Sequence, residues 1–265
     1  MMDSSTPSLN PVFIGHGSPM NALAKNKYSE FLSNYARTIL VPKAIVVVSA
    51  HWQTTGTFIT GNSNPEQLYD FYGFLDTLYK IKYAPAGSPP IAELICNEIP
   101  TIKVDPDRGI DHAGWAVVKH LYPDCNVPLL EISLDILKDA RQHFSLGRQL
   151  GKLRNAGILF IGSGNLVHNL REISYDEAEK PFGWAIKADH WLSDKLDGRQ
   201  LDELIDYERY FPEYKRSIPT TEHYLPLLYI LGMLATDWKI KTIYEEIQNG
   251  SVSMRSIEVE EDNDV

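Results

Sequence analysis

The sequence predicts an α/β fold: a single domain with a central mixed, mainly parallel sheet flanked by helices. Three observations carry that expectation. Continuous apolar runs such as AIVVVS at 44–49 and GILFIG at 157–162 mark strands covered on both faces, as parallel strands are. Stretches with helical spacing alternate with those runs, the order that α/β layering demands. The length, 265 residues, suits one large domain with a well-filled core.

The elements follow from local pattern. Residues 1–10 form a polar leader, and the core spans about 11–257 of a domain covering 1–265. VFIG at 12–15 reads as a short buried strand. A helix is expected over 27–40, where Tyr28, Phe31, Leu32, Tyr35 and Ile39 recur near helical spacing. Strands follow at 44–49 and 57–60. Residues 62–88 are aromatic-rich and include the turn PAGSPP, with a helix after it at about 90–98. Strands at 127–133 and 157–162 bracket a helix over 134–153. Helices at 184–196 and 224–234 and a closing strand at 252–259 complete the order, and the tail EEDNDV is acidic and frayed.

Composition narrows the function. Hydrophobic content of 43% and charged content of 23% are those of a globular protein. A net charge of −10 disfavours nucleic-acid and anionic-membrane partners, which reward basic surfaces. Cys96 and Cys125 form no CxxC pair, so neither a disulfide framework nor a thiolate zinc site is expected, and a reducing cytoplasm is the simplest home. No signal peptide is expected at the N-terminus, and the run LPLLYILGMLA is too short to span a bilayer.

The chemistry concentrates in histidines. His16 ends VFIGHGSP, His51 ends AIVVVSAHW, His168 ends GILFIGSGNLVHN, and His223 opens EHYLPLLYILG. One such histidine is ordinarily a hydrogen-bonded core residue. Several at the carboxyl ends of parallel strands converge on the crevice where ligands bind, and convergent imidazoles suit a divalent transition metal. His112, in DHAGW, opens a helix from a polar loop and can carry a proton near neutrality. Glu222 beside His223 is a rival ligand, since adjacent residues point in different directions. His120, His143 and His190 lie in mixed-polarity helical stretches and read as surface or boundary residues. No GxGxxG fingerprint follows a strand, and Ser163 sits in GSGN rather than a nucleophile elbow.

Taken together, GHGSPMNAL, VVVSAHWQTTG, DFYGF with the downstream YKIKYAPAGSP, DHAGWAVVKHLYP, LFIGSGNLVHNLR and TEHYLPLLYILG resemble the DODA-type extradiol aromatic ring-opening dioxygenases of the class III extradiol superfamily. The resemblance runs from about residue 11 to 257 in the family's own order. It implies a non-haem metal enzyme that opens the ring of a catechol, such as DOPA, with O2 to give a semialdehyde. It implies His16, His51 and His223 as metal ligands, with Glu222 as the alternative to His223. His168 resembles a position that ligates zinc in some members and serves as an acid/base in others, and His112 resembles a second acid/base. Fe(II) is expected for turnover and Zn(II) as the ion retained on purification. One departure is Ser217-Ile218-Pro219-Thr220, where many members have His-Pro-Thr. Two other functions share these residues: zinc-dependent hydrolysis, and metal or small-molecule binding without turnover.

Overall fold

Why the sheet forms where it does is set by alternation within its strands. The computed structural model describes residues 9–176, 179–234 and 238–261. In β2 (Ala44–Thr54), Ile45 and Val47 face one layer and Val46 and Val48 the other, and all four are fully buried. The same two-sided burial holds in β1 (Val12–Gly15), in β5 (Leu129–Asp135) and in β6 (Ile158–Gly164). Four strands that present apolar groups on both faces need helices on both, which gives three layers.

One helical layer comprises α1 (Lys27–Ala36) and α3 (His112–Leu121), which pack on Val12, Ile14, Ile45, Val47, Leu129 and Ile161. The opposite layer contains α2 (Pro89–Glu98), α4 (Ala140–Leu150), α5 (Gly183–Asp197), the short α6 (Leu201–Ile205), α7 (Tyr207–Tyr210) and α8 (Tyr214–Ser217), and α9 (Leu225–Gly232). α9 is apolar on every side and buried along its whole length, as a helix wedged between sheet and α4 must be.

The main sheet adds β3 (Thr57–Thr60), β4 (Ile102–Asp105), β7 (Trp238–Tyr244) and β10 (Ser256–Glu261); β8 (Ile247–Gln248) and β9 (Val252–Ser253) form a separate hairpin. The strand order is β4-β3-β5-β2-β6-β1-β10-β7. β5, β2, β6 and β1 run parallel; β3 and β10 join them antiparallel, so the sheet is mixed and mainly parallel as expected. No helix among the described residues is long and apolar enough to cross a membrane.

The differences from expectation have local causes. α1 stops at Ala36 rather than 40: Thr38 turns its hydroxyl back onto the Tyr35 carbonyl, and Leu40 and Val41 lie exposed before Pro42. Residues 134 and 135 finish β5, and the next helix begins only after Asp139, whose carboxylate caps it in a box with Gln142. The closing segment is interrupted at Met254 and Arg255, dividing it into β9 and β10. β4 and β7 escaped the sequence reading. The leader over residues 1–8 and the tail from 262 lie outside the described residues.

Candidate metal centre

β6 is inserted between β1 and β2, so three parallel strands end side by side. His16 follows β1 directly, its amide donating to the Gly164 carbonyl at the end of β6 at 3.0 Å. His51 lies inside β2, not beyond it as the sequence suggested. The pairing of β2 with β5 loses register between Val48 and Gln53, and this irregularity frames His51. The His51 amide donates to Ser49 Oγ at 3.0 Å. His223 sits in the turn before α9, and its carbonyl accepts the Asn165 amide at 2.9 Å. The ligand atoms of His16, His51 and His223 all fall within 4.8 Å of one another. His168 and Glu222 form a second group with His223, the His168 ring stacked on His223 at 3.6 Å and 10°.

Hydrogen bonding settles the state of His16. Ser163 Oγ gives its one proton to the Ala113 carbonyl at 2.7 Å, so its contact with His16 Nδ1 at 3.0 Å requires that Nδ1 donate. His16 Nε2 is therefore a bare lone pair. His51 Nδ1 lies 3.3 Å from the Asp70 carboxylate, which favours a proton there and so a lone pair on His51 Nε2. These two nitrogens face each other at 3.4 Å. Two nitrogens held at about 2.1 Å from one tetrahedral ion would stand about 3.4 Å apart. His223 Nδ1 is buried and has no hydrogen-bond partner. Facing lone pairs and an orphaned buried nitrogen make a donor set that a divalent cation satisfies and that little else would.

Electrostatics keep the imidazoles neutral. Burial, then the neighbouring histidines, holds His16 and His223 well below the ordinary histidine range. Burial and His112 push His51 to about 3 against the pull of Asp70, and burial followed by His112 pushes His168 to about 4. Neutral rings can ligate a metal; imidazolium rings cannot.

Asp70 joins two of these histidines. Its Oδ1 accepts the His112 amide at 2.9 Å, and its Oδ2 accepts His112 Nδ1 at 2.9 Å. Burial alone would raise its pKa, but the hydrogen bonds and charge of His112, with His51, outweigh burial and lower it to about 2. The His112 ring lies 4.1 Å from the His51 ring and 5.6 Å from that of His16. Beneath them Asp111 is fully buried. It caps α3 through the Ala113 amide, accepts Ser49 Oγ, and pairs with Arg108 at 3.0 Å, so one carboxylate ties the segment carrying His51 to the helix opened by His112. Glu131, also fully buried, accepts the Asp111 amide. Burial beside Asp111 raises its pKa well above the carboxylate range.

Comparison with known proteins decides the family. The model of the catalytic LigB subunit of aromatic ring-opening dioxygenase matches residues 12–257. The chain belongs to that family. It is 38% identical over 264 residues to a 4,5-DOPA dioxygenase extradiol of Escherichia coli K12, covering 96% of each chain. It is 33% identical over 242 residues to a protein of the same name from Mirabilis jalapa, covering 88% of this chain and 89% of the relative. The crystal structure of an uncharacterized Escherichia coli K12 protein superposes with a TM-score of 0.82 at 36% identity, covering 94% of this chain and 99% of that one. The chain is thus a ring-opening dioxygenase of the extradiol class, in a family that depends on metal.

In this dioxygenase the aromatic-rich loop packs against the histidine cluster through Phe71. Phe71 meets His112 edge-on at 5.5 Å, while Tyr69 and Tyr79 pack around Phe71 and the Trp115 indole donates to the Leu68 carbonyl. Tyr72 is exposed. His143 corrects an expectation: it is wholly buried, with Nδ1 3.0 Å from the Tyr229 hydroxyl. His120, half-buried, reaches the Asn21 carbonyl at 2.8 Å. Asp70, Asp111 and Glu131 were missed as site residues. The one sequence signal for Asp70 was its place in DFYGF.

Gly164 is where backbone geometry controls the ligand. A Cβ there would stand 2.1 Å from the His223 carbonyl oxygen. Gly164→Ala is expected to push the His223 turn outward, weakening Zn(II) binding by more than about tenfold and costing about 1–3 kcal/mol of stability, as overpacking does. Gly183→Ala, whose added Cβ meets nothing within 4 Å, is the control and should leave both unchanged. Competition titration with a chromophoric chelator and thermal melts of both variants read the two effects.

Proposed function

We propose that this dioxygenase opens a catechol ring by extradiol cleavage with O2, giving a semialdehyde, with Fe(II) held by His16, His51 and His223. The observation that carries the reading is the pair of facing Nε2 atoms of His16 and His51, 3.4 Å apart, in a cluster with His223 whose ligand atoms all lie within 4.8 Å of one another. Bound there, ferrous iron would acidify a chelating diol and supply the redox chemistry by which O2 reacts with it. The names of the relatives make DOPA the first substrate to test. Zn(II) suits the same nitrogens and is the ion expected to be retained without added iron. The two cysteines, both free, fit a cytoplasmic enzyme.

The chain's own residues bind and move protons. His112 keeps Nδ1 on Asp70, and its Nε2 carries no hydrogen bond among the described residues, so it can accept a proton from a catechol hydroxyl. The proton that His112 takes returns to the product as the ring opens; His168, stacked on His223, is the second acid/base of the reading, and Glu222 stays outside the ligand set. Phe71 offers a flat apolar edge to the ring. Overall, the carbon–carbon bond beside the diol breaks and both oxygen atoms of O2 enter the product, one in a carboxylate and one in the aldehyde.

The test is anaerobic loading with Fe(II), addition of DOPA or catechol, then O2. Stoichiometric O2 consumption with a new yellow chromophore supports the reading. Zn(II)-dependent ester or amide cleavage without O2 uptake would replace it with a hydrolase.

A further inference from the structure

We propose that Asp70 is the positioning residue that sets the tautomers of both His112 and His51, so that a single carboxylate decides which nitrogen of each ring faces the pocket. The roles of those two rings rest on the function proposed above; the tautomers do not.

The geometry leaves Asp70 little freedom. Its loop is pinned on both sides: before it the Leu68 amide donates to the Ile110 carbonyl and Trp115 Nε1 to the Leu68 carbonyl, and after it the Tyr79 hydroxyl donates to the Phe71 carbonyl at 3.4 Å. The carboxylate turns inward, its side chain only 21% exposed. Oδ1 is committed to the His112 amide at 2.9 Å. Oδ2 is shared by His112 Nδ1 at 2.9 Å and His51 Nδ1 at 3.3 Å. An ionised carboxylate only accepts, so it holds His112 Nδ1 as N–H through the hydrogen bond and favours N–H at His51 Nδ1 through the longer contact. A neutral imidazole with Nδ1–H has its lone pair on Nε2. Asp70 thereby leaves His112 with a basic Nε2 and aims a bare His51 Nε2 at that of His16.

Without Asp70 the outcome differs at each ring. His51 Nε2–H could donate across the 3.4 Å gap to His16 Nε2, blocking the position a metal needs. In Asp70→Asn one carboxylate oxygen becomes an NH2. If the NH2 faces the imidazoles, it donates to His112 Nδ1 and drives the proton to Nε2. If it faces the His112 amide, two donors collide, so the first orientation is preferred.

The same three side chains, His51, Asp70 and His112, also lie close enough to hold a cation among them. That alternative makes Asp70 a ligand of a second ion, and the test separates the two.

The experiment is long-range 15N–1H NMR of imidazole-labelled, metal-free protein, assigned with His112→Gln and His51→Gln. Wild type is expected to show His112 protonated at Nδ1 and bare at Nε2, and a wild-type His112 protonated at Nε2 overturns the proposal with no variant needed. Asp70→Asn should move His112 to the Nε2–H form and weaken Zn(II) about 10–100-fold. Loaded with Fe(II), it should lose kcat by a similar factor with little change in KM, and Asp70→Glu should restore part of both. An unchanged His112 tautomer in Asp70→Asn, or two Zn(II) per wild-type chain falling to one in that variant, overturns it. If no catechol is cleaved yet the tautomers behave as stated, the functional reading fails and this one stands.

Discussion

His16→Ala and His51→Ala are each expected to abolish both metal retention and ring cleavage. Each removes one of the two nitrogens that face each other at 3.4 Å and leaves only two of the three histidines whose ligand atoms cluster within 4.8 Å, while Asp70 is turned toward the Nδ1 side of His51. Dialysed protein should hold less than about a tenth of the wild-type metal, a loss above about 1.4 kcal/mol of binding. The effect on stability should depend on the ion. A ligand at about one hundred times its Kd stabilises by about 2.7 kcal/mol, which raises the melting temperature of a chain this size by about 5–10 °C. Wild type should show that rise with Zn(II) and the variants should not. Metal-free, the variants should melt close to wild type, because truncating either ring removes a lone-pair conflict as well as packing. A variant that keeps its metal and its turnover would take that histidine out of the ligand set.

How much of this could be read from the sequence depended on whether the signal was local. The central strands were legible because fully buried parallel strands need uninterrupted apolar runs, and β1, β2, β5 and β6 each have one. His16, His51 and His223 were legible because they terminate or open such runs. The extent of β2 was not, since its last residues are half-exposed and irregular around His51. β7 carries a partial signal, since WKIK alternates, but the alternation breaks at Thr242-Ile243-Tyr244. β4, four residues with only Ile102 buried, offered almost nothing. Asp70 was invisible for another reason. Its partners are 19 and 42 residues away, and an acidic residue in an aromatic loop reads as a solvated turn. Asp111 and Glu131 show the same limit: whether a carboxylate is buried depends on which strand passes beneath it.

His112→Ala should behave differently from the ligand variants, and that contrast is the sharper test of the site. The ring touches Asp70, His51 and Phe71 but does not belong with His16, His51 and His223 as a ligand. Truncation should therefore leave metal content near wild type. The Asp70 carboxylate keeps its bond to the backbone amide of residue 112, so the loop and the orientation of His51 persist. What disappears is an imidazole whose Nε2 has no hydrogen bond among the described residues and whose Nδ1 is held by the Asp70 carboxylate at 2.9 Å. Loss of a positioned general base costs about 10²–10⁴-fold in rate. The reduction should appear in kcat under saturating catechol and O2, since the diol would still bind through the metal. Added imidazole, small enough to enter the vacated space, should recover part of the lost rate in His112→Ala and none in His16→Ala. Equal loss of metal in His112→Ala would place this residue among the ligands. A wild-type rate with full metal content would leave it only the structural task of opening α3.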